Sequence, residues 1–181
     1  MNRNLSPPPG DRNARRTTWL AVALLVGWVI AFVGPGLPEG RVLQGTDLLG
    51  RFSPWNEARP AAWEATNYLL FDQAVQFFPW RMLTRTLAAE ELPPLWNPFA
   101  YAGSPLLANY QSAFLAPVEV LVAGLAWERA PAIAAAIRLT LAALGMLLLL
   151  RALGLGPLSA LFGTLAFIGS GSITILLYHP N

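Results

Sequence analysis

The fold is decided by residues 17–38, TTWLAVALLVGWVIAFVGPGLP, in which no side chain is charged. At about 1.5 Å of rise per residue, a helix over this stretch is long enough to cross the ~30 Å hydrocarbon core of a bilayer. The apolar run is longer than the roughly 7–15 residues of a signal-peptide core, and no clear small-x-small cleavage site accompanies it. The sequence therefore predicts a first transmembrane helix over residues 17–34, ended by Gly34-Pro35-Gly36.

The composition of the whole chain agrees with a membrane protein. Of its 181 residues, 55% are hydrophobic and only 12% are charged, which is too apolar for an ordinary soluble domain of this length. The chain has no Cys, which excludes a disulfide framework, thiolate zinc sites and thiol catalysis. A formal net charge of +2 gives no reason to expect a nucleic-acid partner. We therefore expect an all-α integral membrane protein.

The charges on either side of the first helix predict its orientation. Residues 1–16 hold four Arg and one Asp, whereas residues 39–128 hold nine acidic residues and five Arg. Short segments rich in Arg stay on the cytoplasmic side of a membrane. We therefore expect residues 1–16 to be a basic cytoplasmic tail and the chain to leave the first helix on the outer side.

Two further apolar runs predict a second and a third span. Residues 130–150, APAIAAAIRLTLAALGMLLLL, are interrupted only by Arg138, and residues 158–178 carry no charge. Residues 151–157 then form a short cytoplasmic turn, and residues 179–181 lie at a truncated outer end of the third span. The expected fold has about three transmembrane helices.

A large extracytoplasmic loop, residues 35–129, joins the first two spans. Its apolar segment 114–127 is only fourteen residues long and contains a Pro and a Glu, which favours a re-entrant or interfacial segment over a span. Residues 79–92, PWRMLTRTLAAEEL, predict a short helix that begins at a Pro and carries Arg81 and Arg85 one turn apart. That helix lies in the membrane interface or packs on the rest of the loop, and the sequence leaves both open.

The loop contains the pattern D-x-x-x-x-F-x-P-W twice, at residues 47–55 and 72–80. In one interpretation, Phe, Pro and Trp seat the loop on the membrane surface while Asp47 and Asp72 cap helices. In the other, the two carboxylates lie at a bilayer-facing cleft and bind a divalent metal or accept a proton from a hydroxyl. The residues alone favour the first interpretation.

A second cluster of candidate residues occupies residues 94–111, PLWNPFAYAGSPLLANYQ, where aromatic and amide side chains alternate with rigid turns. Carbohydrate sites use such pairs, with rings stacking on sugar faces and amides bonding hydroxyl groups. The candidates for sugar binding are Trp96, Asn97, Asn109 and Gln111. The alternative is a well-packed loop with ordinary turn residues.

Two isolated polar residues are also candidates for substrate binding. Arg138 lies inside the second span about two turns from its outer end, where a charge is costly and therefore indicates a function, unless the side chain snorkels to the interface. His179 is the only His in the chain. It is a candidate proton carrier or metal ligand, or simply an interfacial polar residue before Pro180.

Taken together, these features resemble the YfhO-like bacterial membrane proteins of the GT-C glycosyltransferase superfamily. The matching features are the basic start with the first span, DQAVQFFPW at residues 72–80, PLWNPFAYAGSPLLANYQSA at 94–113, LLLLRALGLGP at 147–157, and the SGS and YHPN sequences within residues 170–181. Members of that family run for several hundred residues with more spans. The resemblance therefore implies that this chain corresponds to the N-terminal portion of such a protein.

The resemblance implies an enzyme of the bacterial plasma membrane that transfers a sugar from a polyprenyl-phosphate carrier to an extracytoplasmic acceptor, a cell-envelope polymer or a lipid. By that analogy Asp72 is the general base or a metal ligand, and Asp47 is the second acidic residue. Positive charge for the departing phosphate comes from a divalent ion, Mg²⁺ or Mn²⁺, or from Arg81, Arg85 and Arg138. Two alternatives to a glycosyltransferase stay open. The chain is a non-enzymatic membrane protein, either a lipid-carrier transporter or an assembly factor, or it is an inactive fragment.

Overall fold

The computed structural model describes residues 9–58, 64, 68–171 and 173. The α-helices are α1 Pro9–Val33, α2 Phe78–Ala89, α3 Pro117–Val122, α4 Ala130–Ala152 and α5 Pro157–Ile168. Short 3-10 helices cover Gly34–Gly36, Thr46–Arg51, Trp55–Glu57, Tyr68–Leu70 and Tyr110–Ser112, and a π-helix covers Gln73–Phe77. The described strands, β1 Trp96–Asn97 and β2 Ser104–Pro105, form one antiparallel hairpin.

The chain divides into two compact units. We call the first the helical unit, which is drawn from the described residues of Met1–Phe32 and Ala136–Leu177. The second, which we call the connecting unit, is drawn from the described residues of Val33–Ala135. The expected large segment between the first two apolar helices is therefore a compact body with its own contacts.

Among the described residues, two helices are long and apolar enough to cross a membrane. They are Arg16–Gly36, of 21 residues, and Ala130–Ala152, of 23 residues, and only 22% and 28% of their most apolar windows are buried. The core helix of a soluble protein is buried over most of its surface. These helices instead expose large apolar side chains, which agrees with the coarse prediction of a mostly helical membrane protein.

Small residues and branched residues let the helices of the helical unit approach one another. Each helix buries a stripe of residues spaced by one turn, namely Ala21, Leu25 and Val29 on α1, Leu139, Ala143 and Leu147 on α4, and Ala160, Thr164 and Ile168 on α5. A Cβ atom added to Gly163 would lie 2.7 Å from Cδ1 of Leu150, so the absence of a side chain there permits close contact between α4 and α5. The opposite sides of these helices expose large apolar side chains, among them Trp19, Ile30, Leu148 and Phe162.

The ends of the apolar helices differ in part from the expected bounds. The described part of α1 begins at Pro9, ahead of the expected start at residue 17, because residues 10–16 contain no Pro to interrupt the helix. α4 agrees closely with the expected 130–150. It ends where Gly154 adopts a φ of +86°, a left-handed conformation that suits glycine.

The expected third span, residues 158–178, is described only in part. α5 covers Pro157–Ile168, which is twelve residues and shorter than the roughly 20 that a span needs. Gly169 follows as the helix C-cap. Residue 172 and residues 174–181 lie outside the described residues, so a third span stays a prediction.

Two helices of the connecting unit lie where the sequence places short helical segments. α2, Phe78–Ala89, corresponds to the expected helix over 79–92 and has Pro79 in its first turn. α3, Pro117–Val122, lies within the expected re-entrant or interfacial segment 114–127. It has six residues, far fewer than a span requires.

Candidate functional site

The two copies of the D-x-x-x-x-F-x-P-W motif pack against each other. The first copy contains the 3-10 helix Thr46–Arg51, and the second contains the π-helix Gln73–Phe77, which continues into α2. Leu48 of the first copy is buried together with Leu70 and Ala74 in one apolar cluster. Segments that start twenty-five residues apart are therefore neighbours in the connecting unit.

Two further contacts join the segments that contain the motif copies. A Cβ atom added to Gly45 would lie 2.9 Å from Cβ of Leu70, so glycine is needed for this close approach. The rings of Phe52 and Phe71 have their centroids 5.8 Å apart at an interplanar angle of 58°. Tilted aromatic pairs at this distance are favourable beyond the area that they bury.

The carboxylates of the two copies lie at the starts of these packed helical segments. Asp47 is half-buried in the first turn of its 3-10 helix, and Asp72 is exposed immediately before the π-helix. Oδ1 of Asp72 accepts a hydrogen bond of 3.5 Å from Nε2 of Gln76. The arrangement therefore presents two acidic groups on adjacent segments, one of them open to solvent.

The interpretation of these carboxylates as helix caps is wrong. Gly45, and not Asp47, is the N-cap of the first helix. Asp72 is the N-cap of the π-helix but makes no side-chain cap hydrogen bond. Its φ of −62° and ψ of −31° are already helical, whereas a capping side chain reaches the first turn from an extended backbone.

Arg81 and Arg85, the expected phosphate ligands of α2, make contacts inside the connecting unit. Nη2 of Arg81 lies 3.3 Å from Oε1 of Glu119, and the two side chains are 30% and 16% exposed. Arg85 donates a hydrogen bond to the main-chain carbonyl of Leu125. Binding a phosphate would require both arginines to exchange these contacts.

An aromatic contact also joins α2 to the segment after α3. The rings of Phe78 and Trp127 have their centroids 5.9 Å apart. Together with the two arginine contacts, this pair shows that α2 packs on α3 and the residues after it. The packing of α2 on its own loop, one of the two arrangements that the sequence leaves open, is therefore present, and a place in the membrane interface stays a prediction.

The amide side chains of the second cluster support turns. Asn97 is buried, and its Oδ1 accepts a hydrogen bond of 2.9 Å from the main-chain nitrogen of Phe99. Oδ1 of Asn109 accepts one of 3.2 Å from the main-chain nitrogen of Gln111, which begins the 3-10 helix Tyr110–Ser112. Such local side-chain bonds are the usual role of Asn in turns.

Trp96 and Gln111 are exposed and therefore accessible to a ligand. A Cβ atom added to Gly103 would lie 2.6 Å from the indole of Trp96, so this ring covers the glycine directly. The candidate sugar-binding residues thus divide into two exposed side chains and two amides whose oxygens hold the loop.

The remaining two candidates are Arg138 and His179. Arg138 is half-buried on the part of α4 that belongs to the helical unit, whereas Asp47 and Asp72 belong to the connecting unit. His179 lies outside the described residues.

Sequence reasoning missed two polar features next to the first motif copy. The guanidinium carbon of Arg51 lies 4.4 Å from the ring centroid of Tyr68, and Arg51 also donates to the Tyr68 hydroxyl. Gln44 is buried, and its Nε2 has no hydrogen-bond partner among the described residues. Arg51 lies within the first motif copy, four residues after Asp47, so the motif could have drawn attention to it as a candidate. Nothing in the sequence distinguishes Gln44.

A cluster of metal-ligating side chains is absent from the part of the chain that the structure describes. Among the described residues, no group of three or more His, Cys, Asp or Glu side chains is placed to hold a metal ion. Mg²⁺ is commonly bound by one or two carboxylates together with substrate phosphates. Asp47 and Asp72 offer ligands of this type, and their binding of a metal stays a prediction.

No protein-family model matches the chain, and no curated protein and no solved structure matches it either.

Proposed function

We propose that the chain acts in sugar transfer from a polyprenyl-phosphate carrier to an acceptor outside the plasma membrane, a cell-envelope polymer or a lipid, with the acidic site in the connecting unit. The observation that carries the proposal is the packing of the two motif copies through Leu48 and Ala74. It places two carboxylates at the starts of adjacent helical segments, and neither is used as a helix cap.

In the proposed reaction, the acceptor hydroxyl oxygen forms a bond to the anomeric carbon of the sugar. The bond from that carbon to the phosphate oxygen breaks, and the phosphate leaves with the electron pair. Asp72 accepts the hydroxyl proton, because it is the more exposed carboxylate of the pair and is reachable by an acceptor. Asp47 orients the acceptor or shares the binding of a cation beside it.

The departing phosphate needs neighbouring positive charge. When bound, Mg²⁺ or Mn²⁺ supplies it at the acidic pair. Arg51 is an exposed cation of the same motif copy as Asp47, and it lies against Tyr68. Arg81 and Arg85 contribute only after leaving Glu119 and the Leu125 carbonyl. Arg138 belongs to the helical unit, and its contribution stays a prediction.

The apolar helices support a substrate that is carried in the membrane. A polyprenyl chain is soluble only in lipid, so an enzyme that uses it must present its site at a bilayer. The connecting unit begins where α1 ends and runs to the start of α4, and both helices are long and apolar enough to cross a membrane.

A non-enzymatic role is the second candidate, and a specific observation favours it. Asn97, Asn109, Arg81 and Arg85 all make contacts that hold the connecting unit together. A unit whose polar side chains serve its own structure suits a lipid-carrier transporter or an assembly factor as well as a transferase.

A transfer assay with two carboxylate variants separates these candidates. The full chain is reconstituted in vesicles with polyprenyl-phosphate glucose or polyprenyl-phosphate mannose as donor probe and bacterial envelope lipid as acceptor. Asp72→Asn should lower the transfer rate by about 100-fold or more, the usual contribution of a general base. Glu57→Gln, which neutralises an exposed carboxylate of the same unit, should leave the rate unchanged.

The proposal fails if Asp72→Asn transfers sugar at the wild-type rate. If the wild-type chain binds either carrier but transfers no sugar, the non-enzymatic role replaces the enzymatic one.

A further inference from the structure

The segment around the β1–β2 hairpin has an unusual surface. Residues 92–118 contain no charged side chain, although Glu90, Glu91 and Glu119 stand on either side. Within it Phe99 is 85% exposed, Tyr101 is 99% exposed and Tyr110 is 86% exposed. Aromatic side chains exposed to this degree and close together in sequence indicate a surface that contacts something apolar.

The hairpin holds two of these aromatic side chains, Phe99 and Tyr101, on a well-defined turn. Trp96 pairs with Pro105 across the two strands. The main-chain nitrogen of Leu106 donates to the carbonyl of Leu95 at 2.8 Å, and that of Gly103 donates to the carbonyl of Ala100 at 2.7 Å.

The turn is also strained. Tyr101 and Ala102 have φ values of 53° and 63°, a left-handed conformation that side chains other than glycine rarely adopt. Such a backbone persists only where its surroundings hold it, and it is common where a surface has a function. The strain therefore coincides with the most exposed aromatic residue of the turn.

A lipid surface is the partner that best fits this hairpin. Tyr, Trp and Phe are the side chains that proteins place at the membrane interface. A segment without charge enters that region without the cost of moving an ion out of water. The hydrogen bonds of the hairpin also satisfy main-chain groups that would otherwise lose water on insertion.

The connectivity of the chain points to the same partner. The connecting unit follows α1 and leads into α4, so both of its ends continue into helices of membrane-crossing length. A unit tethered at both ends in this way stays within reach of the bilayer surface. A sugar is a weaker candidate, because the oxygens of Asn97 and Asn109 are already bonded to the main chain.

We propose that the hairpin tip, which we define as Phe99 and Tyr101, inserts into the interfacial region of the bilayer and holds the connecting unit against it. This inference is independent of sugar transfer, since it rests on the exposed aromatic side chains and the absence of charge.

The chain offers a clean test because it has no native cysteine. Single-cysteine variants Phe99→Cys and Tyr101→Cys are labelled with an environment-sensitive nitrobenzoxadiazole probe in the full chain, reconstituted in phosphatidylcholine–phosphatidylglycerol vesicles. Glu57→Cys, on an exposed polar part of the same unit, is the matched control. All three positions are exposed, so replacement removes no buried contact.

The expected result is a blue-shifted emission at positions 99 and 101, with quenching by nitroxide-labelled lipid several-fold stronger than at position 57. Quenching by aqueous iodide should be several-fold weaker there than at position 57. Equal iodide quenching at all three positions overturns the proposal. Protection from iodide without nitroxide quenching also overturns it, because protein would then cover the tip.

Discussion

Leu48 and Ala74 lie together in one buried cluster, although each belongs to a different copy of the same nine-residue motif. The contact is not symmetrical, because Leu48 directly follows its Asp whereas Ala74 is the second residue after its own. The equivalent of Leu48 in the second copy is Gln73, which is half-buried. The repeat in sequence thus produces two packed segments with different roles, one supplying a large apolar side chain and the other a small one.

Removing the larger partner of this contact should destabilise the connecting unit. Leu48→Ala leaves a cavity in the cluster, and such changes lower the free energy of unfolding by about 2–5 kcal/mol. Leu121→Ala removes the same atoms from an exposed position on α3 and should have a much smaller effect. Thermal unfolding of the full chain in detergent, followed by tryptophan fluorescence, measures both. Equal midpoints for the two variants would contradict the packing.

Gly103 should tolerate no side chain. Gly103→Ala forces a φ of +116° on a residue that disfavours it and brings a Cβ atom to 2.6 Å from the Trp96 indole. Strain of this kind costs about 1–3 kcal/mol. Gly124→Ala is the control, because nothing lies within 4 Å of an added Cβ atom there. We expect the first variant to lower the unfolding midpoint and shift tryptophan emission, and the second to do neither. An unshifted Gly103→Ala would show that the turn is not formed.

The ion pair between Arg81 and Glu119 should couple α2 to α3. A double-mutant cycle with Arg81→Gln and Glu119→Gln should give a coupling free energy of about 1 kcal/mol or less, because the pair is only partly buried. Added salt should reduce it. Glu128→Gln in place of Glu119→Gln is the matched control and should show no coupling to Arg81. Coupling that is absent at low salt would argue that Arg81 is available for another ligand.

The local elements of the fold were accessible to sequence reasoning, and their packing was not. α1 and α4 follow from long apolar runs, and α2 follows from a Pro at its start. The packing of Leu48 on Ala74 and the contact of Arg51 with Tyr68 join distant segments, so no local pattern encodes them. The motif correctly predicted that both carboxylates lie beside helical turns. The prediction that they cap those helices was wrong.

The orientation of the chain in the membrane is a prediction from its charges. A cysteine introduced by Glu57→Cys should react with a membrane-impermeant thiol reagent in intact cells, because Glu57 is exposed and the connecting unit is expected on the outer side. Ser6→Cys should react only after the cells are opened, since residues 1–16 are expected in the cytoplasm. Labelling is read on gels with a fluorescent maleimide. The reverse pattern would invert the assignment of sides and remove the acidic pair from the outer face.

The central claim is that Asp47 and Asp72 form one acidic site, and cross-linking tests it most directly. The pair Asp47→Cys with Asp72→Cys is treated with a short bifunctional thiosulfonate in the cysteine-free full chain. The control pair is Asp72→Cys with Glu90→Cys, whose residues lie at opposite ends of the π-helix and α2 and are therefore about 25 Å apart. We predict efficient intramolecular cross-linking of the first pair and none of the second. Cross-linking of the first pair no greater than that of the control would contradict the account.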